Sequence, residues 1–297
     1  MTRSLIPIIK RKRAMQKFLS AVVAATAVLC GHASAEEDPV LQAAQQAERR
    51  LSARVGVAVL DSGTGRAWRY RADERFPMAS TAKTLVCAAL LHQGRSARNQ
   101  SVQLRQSEIL SYAPVTRKLV GQPLTASELC AITMRTSDNT AVNAVLDVVG
   151  GPEAVTSFLR RIGDSTTRLD RDEPTLNEAT PGDPRDTTTP LAMQETLAAL
   201  VLGTALSEES RAQLQAWLLS NEVGGPLLRA AIPQDWKVAD RTGAGGYGTR
   251  GVAAIIWPPK RPPIVAAIYL TETEATMDER NAAIAAIGRA IVTATTR

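Results

Sequence analysis

The chain has 297 residues, enough for one large domain or two that share a core, with 44% hydrophobic residues and few aromatics. Its formal charge of +6 resembles a nucleic-acid footprint but is not one. Arg3, Lys10, Arg11, Lys12, Arg13 and Lys17 all lie within residues 1–35, which hold no acid; without them the chain carries 29 basic and 29 acidic residues.

That first segment has the parts of a secretory signal: a basic stretch, an apolar run from Phe18 to Cys30, then Ala33-Ser34-Ala35, with cleavage expected after Ala35. The run falls short of the ~20 apolar residues of a membrane anchor. Leu29 before Cys30 fits a lipoprotein signal poorly, and Met15 opens a shorter, workable signal. The mature protein is therefore expected in a bacterial periplasm, without an anchor. Cleavage leaves two cysteines, Cys87 and Cys130, and one histidine, His92. In an oxidising compartment the cysteines read as a disulfide rather than a metal site or redox pair, worth roughly 4 kcal/mol in the chain-entropy model. A single histidine excludes a Ser-His-Asp triad and a multi-histidine zinc site. Any nucleophile must then be activated by Lys or a carboxylate, and no metal or cofactor is expected.

Residues 38–50 read as a helix with Val40, Leu41, Ala44 and Ala47 on one face, followed by strands at 54–60 and 66–71 around the turn 61–65. From about 71 to 226 the pattern is helical, with helices at 80–93, 125–136, 138–149, 152–162, 191–202 and 207–219. Strands return at 236–242, 251–257 and 264–271, and a helix from 278 to about 295 closes the chain. This predicts one sheet built from both chain ends. Residues 36–70 and 227–297 form an α/β lobe, 71–226 a helical lobe, and a cleft lies between them. Residues 164–190 are polar, with four prolines. They read as a compact loop tied by Arg168, Asp170, Arg171 and Asp186 rather than as disorder.

Four stretches carry chemistry. Ser80-Thr81-Ala82-Lys83 follows Pro77, which suits the first turn of a helix, so Ser80 sits near its start and Lys83 one turn on. A hydroxyl beside an amine is a candidate nucleophile, and the N–H groups of a helix start can hold an oxyanion. Alone this motif is weak, since Ser-x-x-Lys arises about once by chance in such a chain. Ser137-Asp138-Asn139 reads either as a helix cap or as a second hydroxyl that relays a proton, with an amide orienting Lys83 and a substrate carbonyl. Glu173 and Asn177 can hold a water between them, with Glu173 as general base. In Arg241-Thr242-Gly243-Ala244-Gly245, at a strand end, the glycines admit a ligand along the strand, the N–H of Ala244 can donate to it, and Arg241 with Arg250 can grip a carboxylate.

In this order and spacing, Ser-x-x-Lys, Ser-Asp-Asn and a cation before Thr-Gly are similar to the signature of penicillin-recognising serine enzymes. Glu173-Pro174-x-Leu176-Asn177 resembles class A serine β-lactamases in particular, over essentially the whole mature chain. The resemblance implies an α/β two-lobed fold with a five-stranded antiparallel sheet, and an omega-type loop at about 168–186 closed by Arg171 and Asp186. It implies a cis bond before Pro174, and a disulfide whose cysteines each lie seven residues from Ser80 or Ser137. Ser80 becomes the acylated nucleophile, and Lys83 or Glu173 the base that activates it. Glu173, through a water shared with Asn177, frees the enzyme, and Ser137 protonates the leaving nitrogen. Ser80 and Ala244 form the oxyanion hole. Arg241, Thr242 and Arg250 bind the substrate carboxylate, and Tyr112 forms the cleft wall. Arg-Thr-Gly in place of Lys-Thr-Gly resembles the carbenicillin-hydrolysing penicillinases, and Arg offers a planar fork where Lys offers a point charge. The partners implied are a small-molecule β-lactam and no nucleic acid, with a monomer expected. A D,D-peptidase of cell-wall synthesis and a non-hydrolytic β-lactam sensor share the three motifs and remain the alternatives.

Overall fold

The computed structural model describes residues 38–296, so the signal, its cleavage after Ala35 and the start at Met15 lie outside the described residues. Helix α1 (Pro39–Leu51) starts where the Asp38 carboxylate accepts the N–H of Val40, with Pro39 in the first turn where its missing N–H is no loss. It buries Val40, Ala44, Ala47 and Leu51. Strands β1 (Arg54–Asp61) and β2 (Ala67–Tyr70) follow as expected.

The stretch expected to be wholly helical contains four short strands: β3 (Phe76–Pro77), β4 (Ser101–Gln103), β5 (Pro123–Thr125) and β6 (Thr187–Thr188). β3 pairs with β6 and β4 with β5. Two or three residues are too few for a period-2 pattern to show. Pro77 therefore lies in a strand, not in a helix. A 3-10 turn, Ala79–Thr81, precedes helix α2 (Ala82–Gln93), so Ser80 stands one turn ahead of the α-helix proper. The remaining elements are a short α3 (Arg95–Arg98), α4 (Ala126–Thr136), α5 (Asn139–Val149), α6 (Gly151–Arg161), α7 (Pro190–Val201) and α8 (Glu208–Leu219). The chain closes with β7 (Lys237–Ala244), β8 (Arg250–Trp257), β9 (Ile264–Thr271) and α9 (Met277–Thr296).

Both chain ends build one sheet in the order β2-β1-β9-β8-β7, antiparallel throughout. Alternate residues along β8 and β9 enter two apolar cores. Val55, Val57, Val59, Ala266 and Ile268 meet α1 and α9 on one face. Ala253, Ile255, Val265, Ala267 and Tyr269 meet the helices on the other. Because both faces are covered, β9 is buried over its full length, which is why it reads as an unbroken apolar run. Helix α2 lies at the centre of the second core, with Ala82 to Leu91 all buried, as a helix apolar on every side must be. Cys87 of α2 and Cys130 of α4 form the expected disulfide, with Cα atoms 5.8 Å apart.

Residues 164–190 make the compact loop. Arg168 pairs with Asp170, and Arg171 with Asp186 at 2.5 Å. The two aspartates also exchange backbone bonds: Asp186 Oδ1 accepts the N–H groups of Asp170 and Arg171, and Asp170 Oδ2 that of Asp186. Among the described residues no helix is long and apolar enough to cross a membrane.

Candidate active site

The Met78–Thr81 turn carries Ser80 in a backbone that few residues adopt, since Ala79 is held at φ +44°. Met78 O accepts both the N–H (3.1 Å) and the hydroxyl (2.7 Å) of Thr81, and Met78 N–H donates to Asp186 O across the loop. Lys83, on the first turn of α2, is buried to 1% exposure.

Ser137-Asp138-Asn139 satisfies both of its readings. Ser137 ends α4 in the left-handed region, and Asp138 caps α5 by accepting from Ala141 N–H. The same Asp138 carboxylate takes the N–H groups of Val115 and Thr116 and the Thr116 hydroxyl. This junction turns two side chains toward Lys83. Its Nζ donates to Ser137 O (2.7 Å), Ser137 Oγ (3.1 Å) and Asn139 Oδ1 (2.7 Å). Ser137 Oγ in turn donates to Ser80 Oγ at 3.2 Å. The Asn139 N–H donates to Tyr112 O, which ties the half-exposed Tyr112 to the same junction.

Glu173 Oε1 stands 3.0 Å from Lys83 Nζ, an ion pair with both side chains buried. Burial pushes the Lys83 ammonium down to about 8, and the Glu173 charge works against that shift. Asn177 Nδ2 donates to Glu173 Oε2. Glu173 Oε1 thus faces the Lys83 amine, and Asn177 Oδ1 is a buried acceptor with no hydrogen-bond partner among the described residues. The Glu173–Pro174 bond is cis. Sequence reasoning missed Asn143, whose side-chain amide accepts from Glu173 N–H (2.9 Å) and donates to Glu173 O (2.8 Å). The only trace of it is its place one turn beyond Asn139 on α5.

On the sheet side, Arg241 is fully buried, and burial pushes its guanidinium down to about 10. Nε donates to Ser80 O (3.2 Å) and Nη1 to Asn221 Oδ1 (3.2 Å), while Nη2 has no partner. Arg250 Nε donates to Asn281 Oδ1 (2.8 Å) and Nη1 to Gly243 O (3.0 Å); burial lowers this guanidinium to about 10 too. Asn221 and Asn281 are further positions that the sequence does not single out. A side chain at Gly243 would place Cβ 2.7 Å from Met78 O, so glycine there lets the turn lie against β7.

These groups surround one cleft of about 330 Å3. Ser80, Tyr112, Ser137, Asn139 and Asn177 line one side, and the Arg241–Ala244 segment with Arg250 lines the other. Val223 and Met277 complete the wall, and neither is signalled by the sequence. Lys83 and Glu173 lie beneath the lining. The arrangement offers a hydroxyl nucleophile, a buried amine and carboxylate to move its proton, and two guanidinium groups for an anion.

Residues 40–295 match the model of the β-lactamase enzyme family. The chain is 51% identical over 253 residues to β-lactamase AER-1 of Aeromonas hydrophila, covering 84% of this chain and 83% of that protein. It is 48% identical to β-lactamase PSE-4 of Pseudomonas aeruginosa, covering 87% and 91%. Among solved structures, an ancestral class A β-lactamase superposes with TM-score 0.84 at 52% identity, covering 86% of this chain and 99% of its own. The chromosome-encoded β-lactamase of Vibrio parahaemolyticus superposes with TM-score 0.84 at 45% identity, covering 87% and 99%.

Proposed function

The chain belongs to the β-lactamase enzyme family, class A, and from that membership we propose how its residues divide the reaction. It is a hydrolase of β-lactams. Ser80 Oγ attacks the lactam carbonyl carbon, and the N–H groups of Ser80 and Ala244 hold the oxyanion. The Ser80 proton leaves to Lys83, or through a water to Glu173. The carbon–nitrogen bond breaks as Ser137 protonates the departing nitrogen and receives from Lys83 Nζ, its hydrogen-bond partner, the proton that left Ser80, and an ester on Ser80 remains. A water between Glu173 and Asn177 gives its proton to Glu173 and attacks the ester, and that proton passes from Glu173 to the departing Ser80 oxygen, which restores both groups. Lys83 and Asn139 orient the reacting groups. Arg241, Thr242, Gly243 and Arg250 seat the substrate carboxylate, with Tyr112 as the wall.

The observation that carries this reading is the buried Lys83 amine joined at once to Ser137, Asn139 and Glu173 around Ser80. The preferred substrates are penicillins, and the planar fork of Arg241 favours those with a second carboxylate, such as carbenicillin. The enzyme acts as a monomer of two lobes (36–70 with 227–297, and 71–226) in a Gram-negative periplasm after removal of 1–35.

The test is turnover of nitrocefin, benzylpenicillin and carbenicillin by the purified enzyme, whose N-terminal residue, Glu36, reports the cleavage. The wild type is expected to turn over all three. Glu173→Ala should lose about 10^3-fold in turnover and accumulate a covalent adduct of intact substrate mass. Arg241→Lys should lower the carbenicillin-to-benzylpenicillin ratio; an unchanged ratio removes the specificity claim. One equivalent of adduct without turnover in the wild type would place the protein with the sensors or D,D-peptidases.

A further inference from the structure

The nucleophile's turn rests on a row of residues that crosses four strands. Register pairs Gly243 of β7 with Gly251 of β8, Gly251 with Tyr269 of β9, and Tyr269 with Gly56 of β1. Directly paired residues share a face, so this row presents three glycines and one tyrosine to the core beneath Ser80. Each glycine has a steric reason. A Cβ at Gly243 would meet Met78 O at 2.7 Å and Ser80 N at 3.1 Å. At Gly251 it would meet the Tyr269 ring at 2.5 Å, and at Gly56 the Phe76 ring at 2.4 Å and Pro190 at 2.7 Å. The row is thus a smooth bed, and Tyr269 is the single side chain that rises from it.

Tyr269 is fully buried and stacks on Phe76, with ring centroids 6.2 Å apart. Its hydroxyl lies 3.0 Å from Thr81 Oγ1. Thr81 Oγ1 already donates to Met78 O, a carbonyl that can only accept, so the proton between Tyr269 and Thr81 belongs to Tyr269. The chain of bonds therefore runs Tyr269 to Thr81 to Met78 and brackets Ala79, the residue held at φ +44°, and Ser80. Burial pushes the phenol above its ordinary range, so it remains a donor at any working pH.

We propose that Tyr269 is a positioning residue: through Thr81 it sets the depth of Ser80 against the Gly243–Gly251–Gly56 bed. Its hydroxyl touches neither substrate nor reacting atoms. Its effect is to hold the Ser80 N–H and Oγ where attack and oxyanion binding coincide, in a turn whose own backbone conformation is strained. Errors of about 1 Å in such placement cost up to ~100-fold in rate. The proposal rests on Ser80 being the nucleophile.

The experiment compares the wild type with Tyr269→Phe, Thr81→Val and the double variant, each as the whole mature enzyme. Nitrocefin kinetics, the affinity for hydrolysed benzylpenicillin and the melting temperature are measured for each. Each single variant should lose about tenfold in kcat/KM, with product affinity within about twofold of the wild type. The double variant should lose no more than the worse single one, because both remove the same bond chain. A folded Tyr269→Phe with undiminished kcat/KM overturns the proposal, whatever its melting temperature. Losses that multiply in the double variant overturn it too. A wild type that never turns over nitrocefin sinks the hydrolase reading instead, so the two failures are separate.

Discussion

Two regions meet at Ser80 and are held by different forces. Ser80, Lys83, Ser137 and Asn139 sit at the starts and ends of helices packed into an apolar core, with a disulfide joining two of those helices. Glu173 comes from a loop with little apolar content, held by carboxylate–guanidinium pairs, crossed Asp170–Asp186 backbone bonds and the Asn143 amide. Apolar burial is non-directional and spread over many atoms, whereas a polar loop depends on a few bonds that each fail alone. On the proposed mechanism this difference separates attack from release: damage to the core should cost stability, and damage to the loop should cost deacylation.

The largest effect tests the core side. Replacing Cys87 and Cys130 together by Ala opens a closure of 43 residues and should lower unfolding free energy by up to roughly 4 kcal/mol. Denaturant melts check this. The ratio of acylation to deacylation rates should stay within twofold where the variant is folded; a changed ratio would break the comparison. Asn143→Ala tests the loop side. It leaves the Glu173 N–H and C=O without their partners, at about 1–3 kcal/mol, and should slow deacylation by ~10–100-fold while acylation holds. Rapid-quench mass spectrometry should show acyl-enzyme accumulating; equal slowing of both steps would erase the distinction.

The smallest effect lies where the two regions touch. Lys83 is lowered to about 8 mainly by burial, and the Glu173 charge raises it. Glu173→Gln removes that opposing charge, so the Lys83 amine should persist to lower pH and the acid limb of acylation should move below about 8. Stopped-flow acylation against pH reads this directly. Acylation that collapses at every pH would assign the proton transfer to Glu173.

Legibility in the sequence follows the length of chain over which a constraint acts. Ser80 with Lys83, Ser137 with Asn139, and Glu173 with Asn177 each fall within about one helical turn, so residue type and spacing reveal them. The long helices and buried strands show for the same reason. β3 to β6 did not, because pairing partners such as Phe76 and Thr188 stand far apart in the chain and the strands are too short to carry a pattern. Asn143, Asn221 and Asn281 look like ordinary asparagines until folding sets them against Glu173, Arg241 and Arg250.

Local spacing by itself placed Ser80 with Lys83, Ser137 with Asn139 and Glu173 with Asn177, and so pointed to the chemistry proposed above. The tertiary structure decided how far apart the groups stand and how each is charged. Sheet register lines up Gly243, Gly251, Tyr269 and Gly56 from four strands, and burial sets Lys83 to about 8. Neither follows from local sequence, because register and burial depend on contacts between segments that the chain keeps far apart.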